Sequence, residues 1–294
     1  MRGGIEADLT ITRLSAREFL VVTGIASQER DRAWFESHVE PTWNVQCFDV
    51  TAAHGMFALS GPRSRQILQS LTDADLSNTA LPFGHAQLID VGYGRAWVLR
   101  RSFFGELGYE LFPTTDLCRH VYEQLLEAGK PHGLVHAGFF SMLHCRTEKG
   151  FVHFGHDISE EDTPLEAGLK FAVAFDKHAD FIGRDALVRQ RDAGPLEVRL
   201  VNLRLRESTL DEGPYLYRGE PIWRGDELVG GVTSGAWGFR IGASLGMGSV
   251  RHNAGVKAEW LREGGFEVEV AGVRHAVEVQ FPGFYDPKGE RLRS

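Results

Sequence analysis

The hydrophobic pattern changes character near residues 192–195, and this change constrains the fold more than any single motif. Before it, strand-like and helix-like segments alternate irregularly with neighbouring hairpins, which is typical of an α+β fold rather than a doubly wound parallel sheet. After it, short alternating segments are separated by glycine-rich turns, and helical periodicity almost disappears. Short strands of this kind predict a small barrel or sandwich. We therefore expect two domains, residues 1–194 and 195–294.

Composition and charge exclude several classes of protein. The chain has 294 residues, of which 43% are hydrophobic and 24% charged, as in a soluble globular protein. A net charge of −8 without long runs of one sign disfavours nucleic acid as a partner. No segment is long and apolar enough to predict a membrane span. Three distant cysteines, Cys47, Cys118 and Cys145, predict reduced thiols in a cytoplasmic protein.

The first candidate site residue is Asp8, which lies in the strand predicted for residues 5–12. Apolar residues occupy the odd positions of this segment and polar residues the even ones, which is the pattern of a strand with one buried face. Residues 19–23 supply the second strand of a hairpin. Asp8 falls on the polar face, where on spacing alone a solvated carboxylate is the commoner case.

The second candidate site is the turn at residues 100–110, with the sequence RRSFFGELGYE. Two carboxylates, Glu106 and Glu110, accompany the aromatic residues Phe103, Phe104 and Tyr109 in a glycine-rich turn. Flat ligands with N–H edges are bound by aromatic faces together with a carboxylate that accepts paired donors. The segment is equally compatible with an ordinary hairpin whose aromatic side chains fill the core.

Three other patterns carry little functional information. Residues 242–246 match GxSxG, but the sequence continues as strand or turn rather than into the helix that a nucleophile elbow requires. One group has the composition of a metal site: His144, Cys145, His153, His156 and Asp157. Strand-like spacing, however, predicts His153 and His156 on opposite faces, so no metal is expected. No GxGxxG opens a helix after a strand, so a Rossmann unit for flavin or nicotinamide is not expected.

Several segments, in order along the whole chain, resemble one family. Residues 3–11 (GGIEADLTI) are similar to a GG-x-x-x-D-L strand, and residues 102–111 (SFFGELGYEL) to a GE-x-G-x-E turn. The further segments are RTEKGF at 146–151, FGHDI at 154–158, DTPLEAGL at 162–169, FIGRDAL at 181–187, GVTSG at 231–235 and FYDP at 284–287. The chain resembles the aminomethyltransferase (glycine cleavage T-protein) family, especially the C-terminal folate-binding region of dimethylglycine and sarcosine dehydrogenases.

This resemblance implies an α+β folate-binding region followed by a C-terminal β-barrel, with tetrahydrofolate as the cofactor. Asp8 matches the family aspartate that lies beside the reacting folate nitrogen, and is the expected catalytic residue. Glu110 matches the carboxylate that accepts hydrogen bonds from the pterin ring. Val22 and Phe103 match positions that line the folate pocket.

Two departures from the family pattern accompany the resemblance. Met142 falls where some aminomethyltransferases have a folate-contacting arginine, although the dehydrogenase branch commonly lacks it. Family members also carry a stretch before the GG motif that forms part of the folate cavity. The domain at residues 1–194 is therefore expected to lack its N-terminal part.

The function that the resemblance implies is transfer of a one-carbon unit from an N-methyl amine, such as dimethylglycine or sarcosine, to tetrahydrofolate. Amine oxidation would need a flavin module, so the expected partners are an amine-derived small molecule and a separate flavin-dependent dehydrogenase. The alternatives are a folate-dependent S- or O-demethylase, a non-catalytic folate-binding factor and a folded relic that binds nothing. The binding factors resemble a K-G-C-[YF]-x-G-Q-E pattern, whereas Lys149 and Gly150 are followed here by Phe151, which disfavours that reading.

Overall fold

The computed structural model describes residues 2–294 and divides them into two compact units. The unit called here the sheet unit contains residues 8–137 and 288–294, and the barrel unit contains residues 138–287 together with the residues before Asp8. An α+β arrangement with a β-barrel in the C-terminal part confirms the expected fold class. The domain boundary at residue 194 stays a prediction, although the first barrel strand begins close to it, at Val198.

The sheet unit begins with a two-stranded antiparallel hairpin of β1 (Thr10–Arg13) and β2 (Phe19–Val22), which confirms the predicted hairpin. The first strand is shorter than predicted, because residues 5–9 lie outside it. Its two faces are also reversed. Ile11 is 57% exposed, whereas Thr10 and Thr12 are half-buried. The reason is that the core of this unit is built by a different sheet, in which the hairpin takes no part.

That core sheet has four antiparallel strands in the order β3-β6-β5-β4. Its strands are β3 (Phe57–Ser60), β4 (Ala86–Val91), β5 (Gly94–Leu99) and β6 (Gly108–Pro113). Three helices belong to the same unit: α1 (Gln28–Ser37), α2 (Ser64–Gln69) and α3 (Cys118–Gly129). Val121 and Leu125, one turn apart on α3, join Tyr109 and Leu111 of β6 in one buried cluster.

The barrel unit closes six strands into a ring in the order β10-β7-β12-β11-β8-β9. The strands are β7 (Val198–Leu205), β8 (Pro221–Arg224), β9 (Glu227–Gly238), β10 (Ala243–Arg251), β11 (Phe266–Val270) and β12 (Val273–Gln280). Its helices are α4 (Phe139–Lys149), α5 (Arg184–Asp192) and α6 (Ala258–Arg262). Closure leaves no exposed sheet edge, and alternate strand residues such as Val201, Leu203 and Val268 fill the interior.

Short 3₁₀ turns connect these elements, at Ile25–Ser27, Thr51–Ala53, Thr115–Leu117, Lys130–His132 and Lys170–Ala172. The serine of the GxSxG match, Ser244, lies on strand β10 and not in a strand-to-helix turn, so the nucleophile reading is correctly set aside. Across residues 2–294, every helix is too short or too polar to cross a membrane.

Candidate functional site

Glu110 is the most informative of the expected site residues, because it is a buried carboxylate in the middle of a sheet. It lies on β6, where it is paired with Leu99 on β5 and with Ala58 on β3. Tyr109 and Leu111, its neighbours in sequence, both point into the hydrophobic core. Since successive strand residues point to opposite faces, Glu110 faces away from that core. It is nevertheless only 8% exposed.

The carboxylate of Glu110 is only partly compensated by its surroundings. Burial raises the pKa of Glu110 above its ordinary value, because the charged form loses water. The guanidinium of Arg101 opposes this rise in pKa, with its Nε 3.3 Å from Glu110 Oε1. A desolvated carboxylate with lone pairs to spare is suited to accept N–H donors from a ligand.

The turn between β5 and β6 is held in a defined shape by its glycines. Gly105 adopts φ +76°, a left-handed conformation that favours glycine. At Gly108 there is no room for a side chain, since an added Cβ would lie 2.9 Å from Ser102 Cβ. The Oγ of Ser102 accepts a hydrogen bond from the Phe104 amide at 3.1 Å. Phe103, in the middle of this turn, is half-buried.

Asp8 lies two residues before β1 and is exposed, so its prediction as a residue within the first strand is wrong. Pairing of the hairpin ends at Thr10 and Val22, and both of these side chains are half-buried. Asp8 therefore precedes the end of the hairpin at which Thr10 and Val22 are paired.

The structure places the four expected residues in the sheet unit. Asp8 precedes the β1–β2 hairpin, Val22 ends β2, Phe103 lies in the β5–β6 connection and Glu110 lies on β6. Their roles in binding and catalysis stay predictions.

Arg101 is a residue that reasoning from the sequence overlooked. It lies two residues beyond the end of β5, whose last residue, Leu99, is paired with Glu110, and its guanidinium reaches the carboxylate. The signal was available, because an arginine and a glutamate flanking a predicted hairpin turn are cross-strand neighbours in some registers. Without the register, however, Arg100 and Arg101 could not be told apart.

The expected separation of His153 and His156 is wrong. Their rings are stacked, with centroids 4.4 Å apart and planes within 7° of parallel. The reason is that the segment forms a turn, in which the His156 amide donates to the His153 carbonyl at 3.0 Å, instead of a strand. No group of three or more metal-ligating side chains was found among residues 2–294. His144, a third histidine of this region, has its Nδ1 2.8 Å from the carbonyl oxygen of Trp237.

Comparison with known families now adds to this geometry. Residues 1–177 match the GCVT N-terminal domain, and residues 199–286 match the glycine cleavage T-protein C-terminal barrel domain. The chain belongs to the glycine cleavage T-protein family. The two matched regions follow each other along the chain, and the second one covers the strands of the closed barrel.

Relatives of this family member include enzymes named for methylated amines. The chain is 38% identical to 4-methylaminobutanoate oxidase (formaldehyde-forming) of Paenarthrobacter nicotinovorans, over 99% of its own length and 34% of that protein. It is 34% identical to mitochondrial sarcosine dehydrogenase of Mus musculus, over 99% of its length and 33% of that protein. The chain therefore spans about a third of the length of these curated relatives.

Among solved structures, the chain is similar to glycine cleavage system aminomethyltransferase T from Bartonella henselae. The TM-score is 0.78 at 25% sequence identity, and the match covers 97% of this chain and 74% of that one. The family predicted from the sequence is thus confirmed by both sequence and fold.

Proposed function

We propose that this chain binds tetrahydrofolate and transfers to it a one-carbon unit derived from an N-methyl amine. The observation that carries the proposal is Glu110, a buried and incompletely compensated carboxylate on the central strand β6. Relatives named for sarcosine and 4-methylaminobutanoate support an N-methyl amine as the source of the one-carbon unit. When bound, tetrahydrofolate supplies the amine nitrogen that accepts this unit.

Glu110 is proposed to recognise the pterin ring. Its two carboxylate oxygens can accept two parallel N–H donors from a flat heterocycle, a geometry that also orients the ring. Burial raises the pKa of the carboxyl, and the guanidinium of Arg101 opposes this rise and so favours the charged form. The half-buried Phe103 supplies an aromatic surface beside the same turn.

Asp8 is proposed to steer the one-carbon donor. A carboxylate attracts a cationic amine or iminium, and it can orient the accepting amine for attack. Val22, at the end of the hairpin that follows Asp8, supplies half-buried apolar surface. The proposed role is therefore one of positioning and electrostatic stabilisation.

The proposed reaction needs an oxidised donor that this site does not make. Removal of two electrons from an N-methyl amine yields an iminium, and a flavin-dependent dehydrogenase is the proposed source of that product. The dehydrogenase and oxidase relatives, which are about three times as long as the matched region, support such a partner or an attached module.

Calorimetric titration of the chain with tetrahydrofolate tests the binding half of the proposal. We expect saturable heat with one ligand per chain, and the same isotherm for Asp90→Asn, which changes an exposed carboxylate paired with Arg95. Absence of heat for a folded chain would contradict the proposal. If heat appears only after residues from a longer relative are added before residue 1, the pocket needs those residues.

A second assay tests transfer. Sarcosine and a flavin-dependent sarcosine dehydrogenase from which the region matching this chain has been removed supply the donor, and an aldehyde trap removes released formaldehyde. We expect methylenetetrahydrofolate to form in the presence of the trap only when this chain is added. Equal yield with and without the chain would rule out transfer by it.

A further inference from the structure

Arg100 has an unusual environment for an arginine, because it is fully buried and, in its described hydrogen bonds, donates only to backbone oxygens. Its side chain is 1% exposed. One terminal nitrogen donates to the Leu81 carbonyl at 2.9 Å. The other donates to the carbonyls of Arg293 and Ser294, at 3.0 and 2.8 Å. Burial lowers the pKa of Arg100, and the nearby positive charge of Arg65 lowers it further.

Arg65 converges on the same carbonyl from helix α2. Its Nη2 donates to the Ser294 carbonyl at 2.8 Å and to Asn78 Oδ1 at 2.5 Å, while its Nε donates to the Tyr109 hydroxyl at 3.1 Å. Two guanidinium groups therefore share one carbonyl oxygen. Two like charges brought this close repel each other, so the acceptor between them stabilises both.

The acceptor belongs to a segment that is remote in sequence. Residues 288–294, called here the tail, belong to the sheet unit together with residues 8–137. Leu292 is only 7% exposed. The Arg293 amide donates to the Glu290 carbonyl and the Ser294 amide to the Arg291 carbonyl, at 3.3 and 3.4 Å. The tail is thus a single turn whose carbonyl end, which carries partial negative charge, faces the two arginines.

We propose that Arg65 and Arg100 form a binding site for the carbonyl end of a short peptide turn, and that the tail is its occupant. The ligand class is a peptide with an apolar side chain two residues before its last carbonyl, as Leu292 is before Ser294. The backbone of Arg100 is itself held on both sides, by the His85 carbonyl at 2.9 Å and the Gly84 amide at 2.8 Å. The site is therefore preformed by the sheet unit.

Hydrogen exchange of the full chain tests this proposal without removing the tail. We expect Arg65→Met and Arg100→Met to raise the exchange rates of the Arg293 and Ser294 amides by about tenfold or more, since local opening becomes easier. Arg95→Met, which changes an arginine with 66% of its side chain exposed, is the matched control and should leave these rates unchanged. Unchanged tail exchange in both Arg65→Met and Arg100→Met would overturn the proposal.

A binding experiment tests the same site in trans. The chain is ended after Pro287 and titrated with the synthetic peptide KGERLRS, which reproduces residues 288–294. We expect saturable binding that is lost when Arg65→Met is added to the shortened chain. If the shortened chain folds but does not bind the peptide, the proposal is overturned. If shortening prevents folding, the exchange experiment on the full chain decides.

Discussion

The barrel unit and the sheet unit bury charged residues in different ways. In the barrel unit, the last turn of α4 carries three buried charges, and each has an opposite charge beside it: Arg146 with Asp157, Glu148 with Arg240, and Lys149 with Asp286. In the sheet unit, Glu110 faces Arg101 across 3.3 Å at the surface of the sheet, and its pKa is raised by burial. The buried charges of α4 are thus paired within the protein, whereas the carboxylate of Glu110 can still accept hydrogen bonds from a ligand.

This difference shows which of the two buried carboxylates, Asp157 or Glu110, has hydrogen-bonding capacity left. Asp157 is fully satisfied, since Arg146 and the amide of His153 bond one carboxylate oxygen and the Thr233 hydroxyl bonds the other at 2.7 Å. Asp157 is therefore not expected to bind a ligand. Glu110 has lost water without receiving full compensation, which is the state in which a carboxylate gains most from new donors.

The largest effect is expected when one of the buried ion pairs of the barrel unit is broken. Asp157→Asn leaves the buried guanidinium of Arg146 without a counter-charge, and removal of one partner from a buried pair costs about 3–5 kcal/mol of folding stability. Denaturant unfolding of the chain measures this loss. Asp192→Asn, which breaks an exposed pair with Arg191, is the control and should cost less than about 1 kcal/mol. Equal costs for the two variants would contradict the distinction between the units.

The next effect concerns catalysis at Asp8. Asp8→Asn keeps the size of the side chain but removes its charge, so turnover in the transfer assay should fall by about a hundredfold, the usual scale for one well-placed electrostatic group. Affinity for tetrahydrofolate should change much less. Asp90→Asn should leave both quantities unchanged. Turnover of Asp8→Asn at the level of the unchanged chain would mean that Asp8 is only a solvated carboxylate.

The sequence predicts a part of the site well where local backbone geometry determines it, and poorly where the rest of the fold determines it. The GE-x-G-x-E turn was recognisable because Gly105 and Gly108 are required by local geometry, the first by its positive φ and the second by contact with Ser102. The position of Asp8 was not, since the alternation of residues 5–12 predicted a longer strand with the opposite face buried. Alternation gives a period of two, but the rest of the fold decides which face is covered.

Contacts between residues distant in sequence were out of reach of the same reasoning. Period and turn residues predicted short strands in the C-terminal part because these signals are local. The hydrogen bonds from Arg65 and Arg100 to the tail join residues about 200 positions apart, and no local sequence pattern predicts them. The stacking of His153 on His156 was missed because a turn was taken for a strand.

The smallest effect is a pH dependence of stability at Glu110. Its folded-state pKa is raised by burial, so the folded state binds more protons than the unfolded state at pH values between the ordinary and the raised pKa. The carboxylate therefore lowers stability as pH rises through this window, and Glu110→Gln should become increasingly more stable than the unchanged chain over the same window. Unfolding curves measured from pH 3 to pH 8 test this; a constant difference between the two proteins would contradict the shift.

Titration of Glu110→Gln with tetrahydrofolate is the most direct test of the central claim, that a partly compensated carboxylate binds the pterin. An amide accepts the paired N–H donors less well and adds a donor of its own, so the affinity should fall by about tenfold or more, as expected for loss of a charged hydrogen bond. The affinity of the unchanged chain should also rise with pH through the raised pKa of Glu110, because the charged form accepts the donors, and this rise should be absent in Glu110→Gln. Equal affinities and equal pH profiles for the two proteins would contradict the account.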